Sequence, residues 1–331
     1  MRPLFLALAS LLSTTAAADA PNYAVTGSIA GPDGGWDYAS VDPVARRLYV
    51  ARGDGVTAID LSTGKLVGTI GSASRGHAAV PLDGGRLLVT SGNDAMVRFF
   101  DVKSGATLAS IAVGKKPDAA ILSADGRTAF VMNADSGSVS EIDTVAMKVT
   151  RTIPVKPALE YSALVGTTLY VNDEDANEIE TVDTVRGSVG DPIAMPGCEG
   201  PTGLAYDAPH GRLISACANG KAAIVDTRTK RMTALVDIGE GADAVLLDPA
   251  RQLAFIPCGK SGVLDILSLA GDMVTRTGRV ITEPGARTGA LDPATGTIYL
   301  PTARFSPAPA GGRPLAIPGS FHILVVKPHQ G

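Results

Sequence analysis

The chain has 331 residues, 45% of them hydrophobic and 19% charged, with a formal net charge of −4. No Lys/Arg cluster exceeds a pair, so nucleic acid and anionic lipid find no electrostatic footprint and are not expected as partners. Past the N-terminus no run approaches the roughly 20 apolar residues of a membrane helix, and a soluble monomer is expected.

The chain opens on Met1-Arg2, an apolar run from Leu4 to Ala9 with Leu11-Leu12, and the small residues Ala16-Ala17-Ala18. That order predicts a signal peptide over residues 1–18, cleaved after Ala18, and a mature domain over 19–331 that is periplasmic or secreted. In such a compartment the three cysteines, Cys198, Cys217 and Cys258, predict one disulfide and one remaining thiol. Cys198–Cys217 is the preferred pair and Cys217–Cys258 the alternative; spacing does not choose between them.

One strand pattern then recurs seven times: Arg47 to Ala51, Arg86 to Thr90, Arg127 to Val131, Thr168 to Asn172, Arg212 to Ala216, Gln252 to Ile256 and Thr297 to Pro301. Each is a β-branched or aromatic run bounded by turn formers. A following strand ends at Asp60, Asp101, Asp143, Asp183 and Asp226, where the carboxylate suits the backbone N–H groups of a hairpin corner. A strand before the pattern, as in Tyr38 to Val41, and one closing it, as in Lys65 to Ile70, complete a four-stranded unit. Such units repeated at about 40 residues predict an all-β, seven-bladed propeller. Tyr23 to Ile29 has no strand before it, and the last unit stops at Phe321 to Val326. Pairing these two completes the last blade and closes the ring.

Leu-Tyr-Val-Asn at 169–172, Phe-Val-Met-Asn at 130–133 and Gly-Lys-Lys-Pro-Asp at 114–118 resemble the YVTN family of β-propeller repeats. The resemblance implies the fold over the whole mature chain. It implies no single activity, because proteins built this way include binders, scaffolds and enzymes. Residues 52–55, 215–218 and 256–259 depart from the motif's Thr-Asn ending.

Counting five residues back from the turn aspartates Asp42, Asp207, Asp248 and Asp292 gives Asp37, Thr202, Asp243 and Arg287. The other units supply His77, Asp118 and Glu160 by pattern. Innermost strands line a propeller's channel, so these seven side chains are expected to ring one end of it. Four converging carboxylates raise one another's pKa unless a cation, or a ligand bonded to Arg287 and His77, offsets them. An oxygen-rich ring with one imidazole suits calcium, magnesium or zinc, held by Asp37, Asp118, Glu160 and Asp243, if a metal is present; plain solvation is the alternative. His77 is the candidate acid or base. Trp36 is expected either to stack on a bound ring or to pack between blades. The Asp173-Glu174-Asp175 tip offers either a Ca²⁺ site or a solvated turn. The Pro-rich insertion from Ala303 to Gly319 offers Arg304 and Arg313 as a lid over the mouth, or a brace for the last blade.

Cys-x-x-Cys-His, Gly-x-Ser-x-Gly and phosphate-loop motifs are absent. The chain is therefore expected to bind a small molecule or a periplasmic protein through its channel mouth. The alternative is a metal-dependent hydrolase or lactonase using a channel-bound divalent ion.

Overall fold

Seven antiparallel sheets form the protein, and their order follows the chain. The computed structural model describes residues 22–307 and 314–329; the expected signal peptide lies outside them. In the first blade, Trp36–Asp42 is innermost, followed outward by Arg47–Arg52, Val56–Asp60 and Lys65–Ile70. The second strands of the blades are almost wholly buried, as in Arg47–Arg52 and Leu253–Cys258, and the third strands largely so. That explains their continuous apolar runs: neighbouring blades cover both of their faces. Outermost strands alternate between cover and solvent, as Lys148–Pro154 does.

The ring closes as expected. Asn22–Ala30 pairs antiparallel with His322–His329, from Asn22 opposite His329 to Ala30 opposite His322. Tyr23 on this strand packs its ring edge-on against Phe255 of the preceding blade, 4.8 Å between centroids. The corner aspartates are structural: Asp60 accepts the amides of Ser62 and Thr63, and Asp143 those of Val145 and Ala146.

Three regions depart from the regular repeat. The outer edge of the fourth blade is broken into Ser188–Val189 and Ile193–Ala194, since Pro192 has no N–H for a ladder. The innermost strands of the last two blades shrink to Leu246–Asp248 and Ala290–Asp292. The insertion, as far as it is described, folds back on itself, with Phe305 bridged to Ala316 and the Ser306 amide bonded to the Leu315 carbonyl. It docks on the seam: the Gly319 amide donates to Asp33 (2.6 Å), and a Cβ on Gly285 would lie 2.5 Å from the Phe305 ring.

No helix among the described residues is long and apolar enough to cross a membrane. Cys198 and Cys217 form a disulfide, tying the approach to the fifth blade to its second strand. Cys258 is a buried thiol, pushed up to about 12 by burial and by Asp265 beside it.

Candidate functional site at the channel mouth

Local backbone decides where the ring side chains point. In five blades the innermost strand carries a register shift spanning the ring position: between Trp36 and Ala39, Gly76 and Ala79, Pro117 and Ala120, Leu159 and Ser162, and Pro201 and Leu204. A bulge re-aims its side chain, here toward the axis. Adjacent blades hold these bulges. Thr90 Oγ1 donates to the Asp118 carbonyl (2.8 Å), Asn172 Nδ2 to the Thr202 carbonyl (3.0 Å) and Thr288 Oγ1 to the Asp37 carbonyl (2.8 Å). Asn172, which carries the motif resemblance, thus clamps the next blade's inner strand.

The seven groups converge. Asp37, His77, Asp118, Glu160, Thr202, Asp243 and Arg287 all line one cavity of about 170 Å³, joined by Tyr38, Arg75, Lys116 and Glu174. His77 Nδ1 bonds Asp37 Oδ2 at 2.6 Å and lies 3.6 Å from Asp118 Oδ1. Lys116 Nζ lies 3.6 Å from Asp118 Oδ2. Arg287 donates from Nε to Asp243 Oδ2 at 2.7 Å and lies 3.6 Å from Asp37. Thr202 Oγ1 points instead to the Ala242 carbonyl, 2.9 Å away.

Charge is distributed unevenly over this ring. Burial opposes a charged His77, yet its bond to Asp37 and the Asp118 carboxylate outweigh that and raise its pKa. Burial likewise opposes a charged Lys116, but Asp118 and Glu160 raise it. Burial raises Asp118, with His77 and Lys116 opposing. Asp243 reaches about 7, chiefly through burial, which Arg287 counters only in part. Glu160 stands apart at about 9: burial raises it, Asp118, Asp243 and Glu174 raise it further, and Lys116 lowers it only in part.

Lys116 and Arg75 are the ring cations that residue counting misses. The residue two before the ring position is left-handed in six blades: Arg75, Lys116, Ala158, Gly200, Gly241 and Gly285. A non-glycine residue there costs about 1 kcal/mol, and Arg75 and Lys116 bring charged side chains to the cavity wall. A charged residue standing where four other blades place glycine was the signal in the sequence. With these cations present, the carboxylates are mostly paired within the protein, so the repulsion expected of a bare acidic ring is largely answered from inside.

Several candidates sit elsewhere. Trp36 is not on the cavity wall: its indole packs against Phe321 (5.2 Å) and Phe305 (6.2 Å), the packing alternative. Arg304 is exposed on the seam, no described residue of the insertion lines the cavity, and Arg313 lies outside the described residues. Neither His77 nitrogen is presented as a free base: Nδ1 is bonded to Asp37, and Nε2, buried without a partner, faces Gly92, where a Cβ would come within 2.7 Å. Of the proposed metal ligands, Asp37 and Asp118 group with His77 within 4.8 Å, whereas Glu160 and Asp243 fall outside that group. Asp173 groups instead with Glu178 and Glu180, where Lys156 already sits 2.8 Å from Glu180. Arg52 is buried under the seam, its guanidinium 3.7 Å over the Phe321 ring and bonded to the Pro32 carbonyl.

No family model matches the chain, so the YVTN resemblance rests on the quoted motifs. No curated protein matches it either. Among solved structures it is similar to a chain described as Kuenenia stuttgartiensis hydrazine synthase, at 18% identity and TM-score 0.70, covering 88% of this chain and 96% of that one. It is also similar to a chain from a crystal structure of the mitotic checkpoint complex, at 14% identity and TM-score 0.75, covering 100% and 99%. At such identities the likeness shows the propeller fold alone.

Proposed function

We propose that this propeller is a binding module whose channel mouth takes a small ammonium-bearing ligand, with Glu160 receiving the charge. One observation carries this. Glu160 is 8% exposed, lines the cavity, and is the one ring carboxylate with no hydrogen bond and no cation within 4 Å among the described residues, Lys116 acting on it only from a distance. Asp37, Asp118 and Asp243 are each engaged by His77, Lys116 or Arg287. A buried acid held neutral for lack of a partner is the group whose environment changes most when a cation arrives. The Tyr38 hydroxyl beside it stays protonated, because burial and then Glu160 hold its pKa well above the ordinary value. The mouth therefore offers an ammonium a carboxylate and neighbouring polar groups in a space too small for a folded segment.

Methylammonium is the minimal probe. A ceiling of about 1.5 kcal/mol per non-hydrogen atom places its dissociation constant near 10 mM at best, within reach of an NMR titration at pH 8. Saturable shifts in the wild type, abolished in Glu160→Gln, are the expected result. No saturation, or saturation unaffected by the substitution, contradicts the proposal.

A second function has one observation in its favour, the Asp37, His77 and Asp118 group. These donors suit a divalent ion, which would supply Lewis acidity for hydrolysis of an ester or lactone. Zinc that displaces methylammonium competitively in the same titration, and loses that effect in Asp118→Ala, would favour it.

A further inference from the structure

Below the polar mouth the channel changes character. A second cavity of about 270 Å³ is lined by Val41, Val245, Leu246, Leu247 and Leu291, on or beside the inner strands, among other residues. Tyr38 alone lines both this cavity and the mouth, and its ring lies 5.1 Å from that of Tyr161 across the channel. The first cavity is walled by ionisable groups; the second has none but the two tyrosines. In three blades the change occurs within one residue: Asp37 to Tyr38, Glu160 to Tyr161, Asp243 to Ala244. The two compartments therefore meet at Tyr38, polar on one side and apolar on the other, with the Tyr38–Tyr161 contact at the step.

We infer that the ligand is an amphiphilic amine, its ammonium beside Glu160 and an alkyl or aryl tail running past Tyr38 into the lower compartment. The inference rests on the head-group site proposed above and adds the class of the remainder of the ligand. Size supports it, since an apolar cavity of about 150 Å³ accommodates benzene, so the lower space accepts a six-carbon tail. Chemistry supports it as well. Apart from Ser40, whose hydroxyl is already donated to the Ala79 carbonyl, a polar end on the tail would lie unbonded among leucines and valines, which costs about 1–3 kcal/mol. The tyrosine faces suit a hydrocarbon chain, and the Tyr38 hydroxyl remains on the polar side.

The test is a homologous series on the whole wild-type protein: methyl-, butyl- and hexylammonium, titrated by NMR at pH 8 with methylammonium as competitor. Burial of each methylene is worth about 0.8 kcal/mol, so affinity is expected to rise roughly fourfold per carbon, and methylammonium to displace hexylammonium competitively. Equal affinity across the series, with methylammonium still bound and sensitive to Glu160→Gln, would overturn the tail compartment and leave the head-group site standing. Hexylammonium binding that methylammonium cannot displace would also overturn it, by placing the chain elsewhere. Failure of every amine, methylammonium included, would overturn the head-group proposal and this inference with it.

Discussion

Removing Asn22 to Ala30 is expected to destabilise the closed ring strongly. That strand supplies the outer edge of the last blade, and among the described residues no other segment is left to replace it. Its loss uncovers Ile323, Leu324 and Val326, all now buried, removes Tyr23 from Phe255, and frees the ladder groups of His322–His329. Apolar burial and ladder bonds together are worth more than about 5 kcal/mol, which in a domain of this size lowers the melting temperature by about 10 °C or more. The exposed edge is also a template for pairing with another copy. Thermal melts and light scattering on the truncated chain measure both effects. An unchanged melting temperature with no self-association would show that the clasp does not hold the ring.

Glu160→Gln is expected to stabilise the protein in alkali and to do nothing in acid. The sign follows from proton counting. Between the unfolded value of an ordinary glutamate and the folded value of about 9, the native state holds a proton that the unfolded chain has released. Stability then falls as pH rises, by on the order of 1 kcal/mol per pH unit, until the folded group itself ionises. Glutamine keeps the shape and carries no such penalty. Asp243, at about 7, adds to the same slope over a narrower window, and it remains in the variant. The melting temperature of Glu160→Gln should therefore exceed the wild type by roughly 5 °C or more at pH 8.5, a gap that closes near pH 4. A constant gap across pH would mean that Glu160 titrates as an exposed glutamate does.

The fold was legible because its signals are local. Corner aspartates such as Asp60 and Asp143 fix the ends of strands through their own amide bonds, and the buried second strands announce themselves as unbroken apolar runs. The ring register was legible for a related reason. Asp42 accepts the amides of Val44 and Ala45, so the turn sets the phase of the inner strand, and a bulge recurring in five blades aims their ring positions alike. Lys116 and Arg75 escaped the count because their side chains reach the cavity from left-handed positions outside the strand alternation. Trp36 was ambiguous for want of a partner: Phe305 and Phe321, which surround it, lie about 270 residues away in sequence and meet it only because the ring closes. The same distance concealed the docking of the insertion on Asp33. The division of the channel at Tyr38 and Tyr161 depends on which blades face each other across the axis, and blade spacing alone does not report that.

On the proposed function, a carboxyl kept neutral at the channel mouth becomes a carboxylate when an ammonium binds. Counting protons during calorimetric titration of hexylammonium at pH 7.5, in two buffers of different ionisation enthalpy, tests it directly. Release of about one proton per amine bound in the wild type, and far less in Glu160→Gln, is the predicted result. Binding to the wild type with no proton released would contradict it.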